Sequence, residues 1–343
     1  MAKKYTVLET WIVNECKPEE STSAEQTFDR LARQSGGKLP VIDVPLDFRD
    51  ETHVTDEARV RDFVSALPNA EKVLDIGCGD GWPILRIAPF FQSVVGVDPS
   101  QRRIDVTQAN AARLGLGNVS LKCQSADKLE FKDSSFDGVV AASAVEQSPD
   151  PYAALREGFR VLKPGGRFRI LFESYDQRDK GISERVFITE AEDSLGFHYV
   201  LTHNPPPWER NYLVKFNTAA ETKEAFKKLA DLIERIGPNP ALNPEVGIQF
   251  LELNKAAIAG ASWYELEHFT SETMKQTLEE IGFVGVRVCY SAATLAKTVW
   301  PKVKDAGLSE SQVKDLLAGL ADVAVRLEAP NGSGEPVSAV KPS

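Results

Sequence analysis

Between Glu71 and Ile170 the chain alternates short apolar runs with segments whose apolar residues recur at helical spacing. Short apolar runs bounded by turn residues read as buried strands, and their regular interleaving with helices is the pattern of a parallel sheet covered on its faces. The strands expected are 72–76 (KVLDI), 93–97 (SVVGV), 119–123 (VSLKC), 136–142 (FDGVVAA) and 167–172 (RFRILF). Helices are expected over 82–91, with Pro83 near its start, over 100–114, with Ser100 as N-cap, and over 152–162. Upstream, Val60, Phe63, Val64 and Leu67 give 55–67 a helical stripe that would cap the first strand.

The flanking segments follow other rhythms. Residues 5–13 (YTVLETWIV) read as extended, and 23–33 as a helix. Past Phe172 two or three strands are expected over 185–217, in the runs 185–192, 197–204 and 211–217, interrupted by Pro205-Pro206-Pro207; a helix follows over 219–236 and a helical pattern over 253–263. The earlier rhythm then returns, with a helix over 271–281 stopped by Gly282, a strand over 284–290, a helix over 309–328 and a last short strand near 336–342. The stripe Val313, Leu316, Leu317, Leu320 reads as core packing in preference to a dimer face. The fold class is therefore α/β: a doubly wound, Rossmann-like sheet, mostly parallel with an antiparallel last strand, plus an inserted α+β lid subdomain. The expected division is an N-terminal extension (1–54), a ligand-binding core (55–175), an inserted substrate or lid subdomain (176–265) and the C-terminal part of the core with added helices (266–343).

Charge narrows the partners. With 40 Lys+Arg against 50 Asp+Glu the formal charge is −10, a surface that repels phosphate backbones and anionic lipid. A small-molecule partner is expected, with no nucleic acid and no membrane span. The four cysteines, at 16, 78, 123 and 289, form no C-x-x-C pair, which argues for a reduced compartment and against structural zinc or another metal. With no apolar leader run, a cytoplasmic protein, monomer or homodimer, is the expectation.

The most informative stretch is Val73-Leu74-Asp75-Ile76-Gly77-Cys78-Gly79-Asp80-Gly81, an apolar strand ending in a loop with glycine at alternate positions. Such glycines let the chain turn sharply and let a ligand approach the backbone. Twenty-three residues beyond Asp75, the next strand ends in Asp98, an acid suited to a ribose diol. A dinucleotide loop needs its third glycine three places after the second, where this chain has Trp82, so a nicotinamide-dependent oxidoreductase is the weaker alternative. A non-catalytic protein that binds the same adenosine cofactor is the other.

The G-x-G-x-G register resembles motif I of the class I S-adenosylmethionine-dependent methyltransferases, and the resemblance continues in family order. Asp98-Pro99 is similar to the second motif, Ala126 to Phe131 with Ser135-Phe136-Asp137 to the third, Ala144 to Pro151 to the fourth, and Leu162-Lys163-Pro164-Gly165-Gly166 to the turn before strand five. The chain looks closest to the small-molecule branch that contains quinone and sterol C-methyltransferases. The resemblance implies S-adenosylmethionine as cofactor. It places the methionine end on the loop Asp75, Gly77, Cys78, Gly79 and Gly81, the ribose on Asp98 beside Pro99, the adenine at Ser125, Ala126 and Asp127, and Ser143 and Val145 beneath the sulfonium. In two places the pattern departs from the family: Ser125 stands where an Asp is common, and Gln147 where a His is.

Methyl transfer is an in-line displacement that needs a base only if the acceptor must lose a proton. No catalytic residue stands out. Glu173, just past strand five, is one candidate. His198 and His203 are others, but five apart on one strand they face opposite sides, so at most one points inward. His53 reads as part of a solvated loop. Aromatic residues of the insertion, including Tyr175, Phe197, Tyr199, Trp208, Tyr212 and Trp263, would line an acceptor pocket or fill that subdomain's own core. Thiol chemistry on arsenite is disfavoured because Cys78 lies in the glycine loop and Cys123 is expected at a buried strand end. Asn204-Pro205-Pro206-Pro207-Trp208 superficially resembles an amino-methyltransferase motif but falls in the wrong place, and reads as a polyproline turn.

Overall fold

Residues 5–28, 47–190, 194–330 and 332–343 are described by a computed structural model of the chain. They form two units, Met1–Lys38 with Arg178–His268, and Leu39–Gln177 with Phe269–Ser343. The first unit opens with helix α1 (Val7–Trp11), continued by a wider turn, Ile12–Cys16, and a two-residue strand β1 (Glu19–Glu20). The extended run expected over 5–13 is thus helical. Thr6 caps it by accepting the Glu9 N–H at 3.2 Å, and Leu8 and Ile12, four apart, bury on one face. The helix expected over 23–33 is described only as a wide turn, Ala24–Phe28; its remainder lies outside the described residues.

The second unit begins with α2 (Glu51–Ala66), capped by Asp50 and longer than expected at its N-terminus, so His53 sits in a helical turn and not in a loop. It continues through β2 (Lys72–Ile76), the short α3 (Ile84–Ile87), β3 (Ser93–Asp98), α4 (Gln101–Arg113), β4 (Val119–Cys123), β5 (Phe136–Ala142), α5 (Pro151–Val161) and β6 (Leu162–Leu171). Ser100 and Asp150 cap α4 and α5 as their residue types favour.

The chain then supplies the first unit with β7 (Gly181–Glu190), β8 (Leu195–Asn204), β9 (Trp208–Phe216), α6 (Ala220–Ile236), α7 (Ile248–Leu253) and β10 (Ile258–Glu267). The helical pattern expected over 253–263 gives way at Ile258 to a strand. There Ala261, Trp263 and Glu265 alternate with Ser262, Tyr264 and Leu266 and pair antiparallel with β9. The strand order is β1-β10-β9-β8-β7. Arg210 ties α1 to this sheet: Nη1 donates to buried Glu9 Oε1 at 2.7 Å, Nε to Glu265 Oε2 at 2.7 Å, and Tyr212 OH donates to the same Glu9 oxygen at 2.9 Å.

Returning to the second unit, α8 (Ser271–Ile281), β11 (Val284–Val288), α9 (Ala292–Val303), α10 (Glu310–Ala324) and β12 (Val337–Val340) complete a sheet of order β11-β12-β6-β5-β2-β3-β4. β2 to β6 run parallel, while β12 runs antiparallel to both its neighbours. Alternation along each strand divides the core. Ile76, Val139, Ala141 and Phe168 pack with Leu155, Met274 and Leu278 on one face, and Val73 and Val140 with Phe63, Leu67 and Ile84 on the other. No helix among the described residues is long and apolar enough to cross a membrane.

One charged pair sits inside this second core. The Arg169 side chain on β6 is 0% exposed and meets Asp62 of α2 in a two-pronged contact, Nε to Oδ1 at 2.8 Å and Nη2 to Oδ2 at 2.9 Å. Arg169 also donates to Ser338 Oγ and Tyr290 O, and Asp62 Oδ2 accepts the Ala292 N–H at the start of α9. Removing one member of a buried pair strands the other. Asp62→Ala is therefore expected to cost about 3–5 kcal/mol in urea unfolding, while Asp62→Leu combined with Arg169→Met recovers most of it; additive losses in the double variant would show that the pair is not the source.

Candidate functional site

The site is built at the C-terminal ends of β2, β3, β4 and β5. Where β2 stops, the amides of Gly77 and Cys78 both turn back to donate to Val97 O of β3, at 2.8 and 3.0 Å, folding the loop over the strand ends. Gly77 has φ +74°, and a Cβ there would lie 2.2 Å from the Ala144 Cβ. Gly79 has φ +51°, and a Cβ there would lie 2.8 Å from Arg103 Nη1. Glycine is thus demanded twice at position 77, by the left-handed backbone and by Ala144, and at position 79 by the backbone, since the arginine tip beside it can move aside. Thr107 of α4 fixes the loop by donating to Gly79 O at 2.7 Å, and Gly81, φ +114°, leads the chain into α3. The Cys78 side chain is fully buried, and burial with the charges of Asp75 and Asp98 pushes its thiol well up. Only its backbone can serve a ligand.

Asp98 ends β3 with its carboxylate aimed by two amides, Gly79 N–H to Oδ2 at 3.0 Å and Ser100 N–H to Oδ1 at 2.9 Å. Each oxygen keeps a further lone pair. Burial raises this acid above its ordinary range against the pull of those amides and Arg103. Asp75 lies deeper, 0% exposed, and neither carboxylate oxygen has a hydrogen-bond partner. Burial, then the Asp98 charge, push it up to about 8; the Ile84 amide opposes weakly, short of hydrogen-bond geometry.

The other expected residues sit at the same strand ends. Pro99 is exposed, with its carbonyl accepting Cys123 Sγ at 3.4 Å. Cys123 is itself exposed, contrary to the buried position expected for it, because β4 is the edge strand of the sheet. Ser125, Ala126 and Asp127 follow β4, each partly exposed, with Ala126 resting on the main core. Ser143 follows β5 in a left-handed conformation, φ +51°, its N–H bonded to Leu171 O at 2.7 Å. Val145 is 0% exposed and packs within the core cluster.

Among the catalytic candidates, Glu173 is exposed, and its backbone N–H donates to Glu146 Oε1 at 2.8 Å. His198 and His203 lie on β8, in the other unit, each engaged within it. His198 Nε2 is 2.9 Å from Thr189 Oγ1 and its ring stacks on Phe187; His203 Nδ1 is 2.9 Å from Pro206 O and its ring stacks on Trp208. Phe197, Tyr199, Trp208 and Tyr212 fill that unit's own core, with Trp263 partly exposed at its edge, and Tyr175 is buried in the second unit. Among the described residues no group of three or more His, Cys, Asp or Glu is placed to hold a metal ion.

Sequence reasoning missed Glu146, a fully buried carboxyl two residues past Ala144. Its signal was available, an acid inside the fourth motif on a turn that must pack beneath a strand end.

The arrangement suits a cofactor that carries a diol and a positive charge: Asp98 offers outward lone pairs, the glycine loop offers unobstructed backbone, and Asp75 holds unpaired oxygens behind it. Residues 74–170 match the family model described as a methyltransferase domain. An uncharacterized methyltransferase of Bacillus subtilis, YcgJ, is 36% identical over 34% of this chain and 45% of its own. Sterol 24-C-methyltransferase erg-4 of Neurospora crassa is 32% identical over 49% of this chain and 55% of its own, and erg6 of Aspergillus fumigatus 38% identical over 39% and 41%. The chain thus spans about half the length, or less, of the curated relatives it matches. Among solved structures, the CcbJ methyltransferase from Streptomyces caelestis aligns over 95% of this chain and 99% of its own, with a TM-score of 0.49 and 14% identity. Over residues 74–170 the chain therefore carries a methyltransferase domain of the class I S-adenosylmethionine-dependent family, similar to that of the sterol C-methyltransferases, with S-adenosylmethionine as its cofactor.

Proposed function

We propose that the chain transfers a methyl group from S-adenosylmethionine to a small, apolar or aromatic acceptor of lipid character. The observation that carries the reading is the Asp98 carboxylate, oriented by the Gly79 and Ser100 amides at the mouth of a loop where glycine is sterically required. The sterol C-methyltransferase relatives support an apolar acceptor, and the net charge of −10 supports one without a phosphate backbone.

When bound, the cofactor supplies an electrophilic methyl group on a positively charged sulfur, whose thioether product leaves without a proton. The protein's share is then binding and positioning. Asp98 would take the ribose hydroxyls in charge-assisted hydrogen bonds. Gly77, Cys78 and Gly79 would present backbone to the methionine end, and the Ala126 N–H would meet the adenine edge. Asp75 would stand behind the loop as a group whose negative form a nearby cation favours.

Asp75 also carries a stability cost. A carboxyl raised from its ordinary value of 3.8 to about 8 holds its proton in the folded state where the unfolded chain has released it. Folding stability therefore falls as pH rises across that window and levels off above it. Asp75→Asn is expected to stabilise the cofactor-free protein by a margin that is small near the lower value, grows with pH and is constant above the upper one, read as melting temperature against pH. A margin independent of pH would remove the assignment.

Asp98→Ala is expected to weaken S-adenosylmethionine binding by about 1.5–3 kcal/mol, the range for a hydrogen bond to a charged group; unchanged affinity in calorimetry would remove the ribose contact. The function as a whole is tested by incubating the protein with cofactor labelled in its methyl group and a lipid extract, then identifying the labelled product by mass. A product in the apolar fraction is expected. Cofactor binding with label in no fraction would mark a non-catalytic binder.

A further inference from the structure

Glu146 lies on a single helical turn, Val145–Gln147, directly after the residue that touches the glycine loop. Its carboxyl is 0% exposed; Oε1 accepts the Glu173 N–H at 2.8 Å, and Oε2 is buried without a hydrogen-bond partner. The preceding residue, Ala144, is the one a Cβ on Gly77 would strike at 2.2 Å. The Gly77 and Cys78 amides hold Val97 O, and the Gly79 amide holds Asp98 Oδ2. A continuous series of contacts thus runs from the end of β6 through Glu146 and Ala144 to the glycine loop and Asp98.

The state of this carboxyl is finely set. Burial pushes it up to about 7, the Glu173 amide and its own amide oppose, and the Glu173 carboxylate, the charged group that acts on it, adds to the rise. An ionised acceptor binds an N–H roughly twice as strongly as a neutral one. We propose that Glu146 is a positioning residue for the cofactor site: it tethers the turn after β5 to the end of β6, holds Ala144 against the glycine loop, and tightens that hold when it ionises.

The proposal rests on the cofactor reading above. Its test is calorimetric titration of the wild type, E146Q and E146A with S-adenosylhomocysteine, the demethylated cofactor, below and above neutral pH, with a thermal melt of each protein. The wild type is expected to bind more tightly on the alkaline side by roughly two- to thirtyfold, the range for residues coupled through packed contacts. E146Q keeps an oxygen for the Glu173 N–H but cannot ionise, so it is expected to narrow that ratio to the part that Asp75 and Asp98 contribute, and to bind more weakly than the wild type on the alkaline side. E146A, lacking the tether, is expected to bind more weakly than E146Q at both. An E146Q protein that melts as the wild type does and keeps the full wild-type ratio overturns the proposal. A wild type that binds at neither pH overturns the cofactor reading, and this proposal with it.

Discussion

Each unit is organised around one buried arginine, and in the second unit the placement of the whole site follows from it. Arg169 projects from the C-terminal half of β6 into a space closed by α2, β12 and the start of α9, and the two prongs of its contact with Asp62 leave little freedom in how those elements meet. Five donors in a rigid fork demand acceptors in fixed directions, so the pair specifies geometry even where apolar replacements would serve stability equally well. With α2 fixed on the sheet, Phe63 and Leu67 seal one face of β2 and β5, and the loops at the far ends of those strands inherit a rigid base. Arg210, between Glu9 and Glu265, plays the same part in the first unit.

Much of this architecture was legible. The alternation from Glu71 to Ile170 placed five strands and the helices α4 and α5 of the core, with only the short α3 and a tighter turn where a helix over 82–91 is expected, because a parallel sheet buried on both faces writes near-continuous apolar runs into its strands. The glycine register and Asp98 were legible as a candidate site because their requirements are local: a left-handed backbone, a strand end, a fixed offset to the next acid. Errors arose where tertiary contacts outweighed local signals. Residues 5–13 alternate enough to look extended, yet Leu8 and Ile12 on one helical face decide the matter once a sheet is there to receive them. Ala259, Gly260, Ala261 and Ser262 are small residues with little β-preference of their own, but β9 offers a ladder of hydrogen bonds that a helix would leave unmade. Cys123 is exposed where its segment alone reads as buried, because strand order, which makes β4 an edge, is not a property of any single segment.

The two ends of the core sheet treat their acids in opposite ways. At the N-terminal end Asp137 starts β5 and is fully served: Lys163 Nζ donates to it at 2.7 Å, and the Lys72 and Glu71 amides at 2.8 and 3.2 Å. Although burial alone would raise it, these partners bring the carboxyl below its ordinary range, so it stabilises the fold as an anion. At the C-terminal end Asp75 and Glu146 are more deeply buried, and both carry oxygens with no protein donor. Desolvating an acid without a partner is a cost folding avoids where it can. Two such groups flank the Gly77–Ala144 contact, beside an Asp98 whose amides aim its remaining lone pairs, so this end of the sheet carries a desolvation cost that the proposed cofactor would offset.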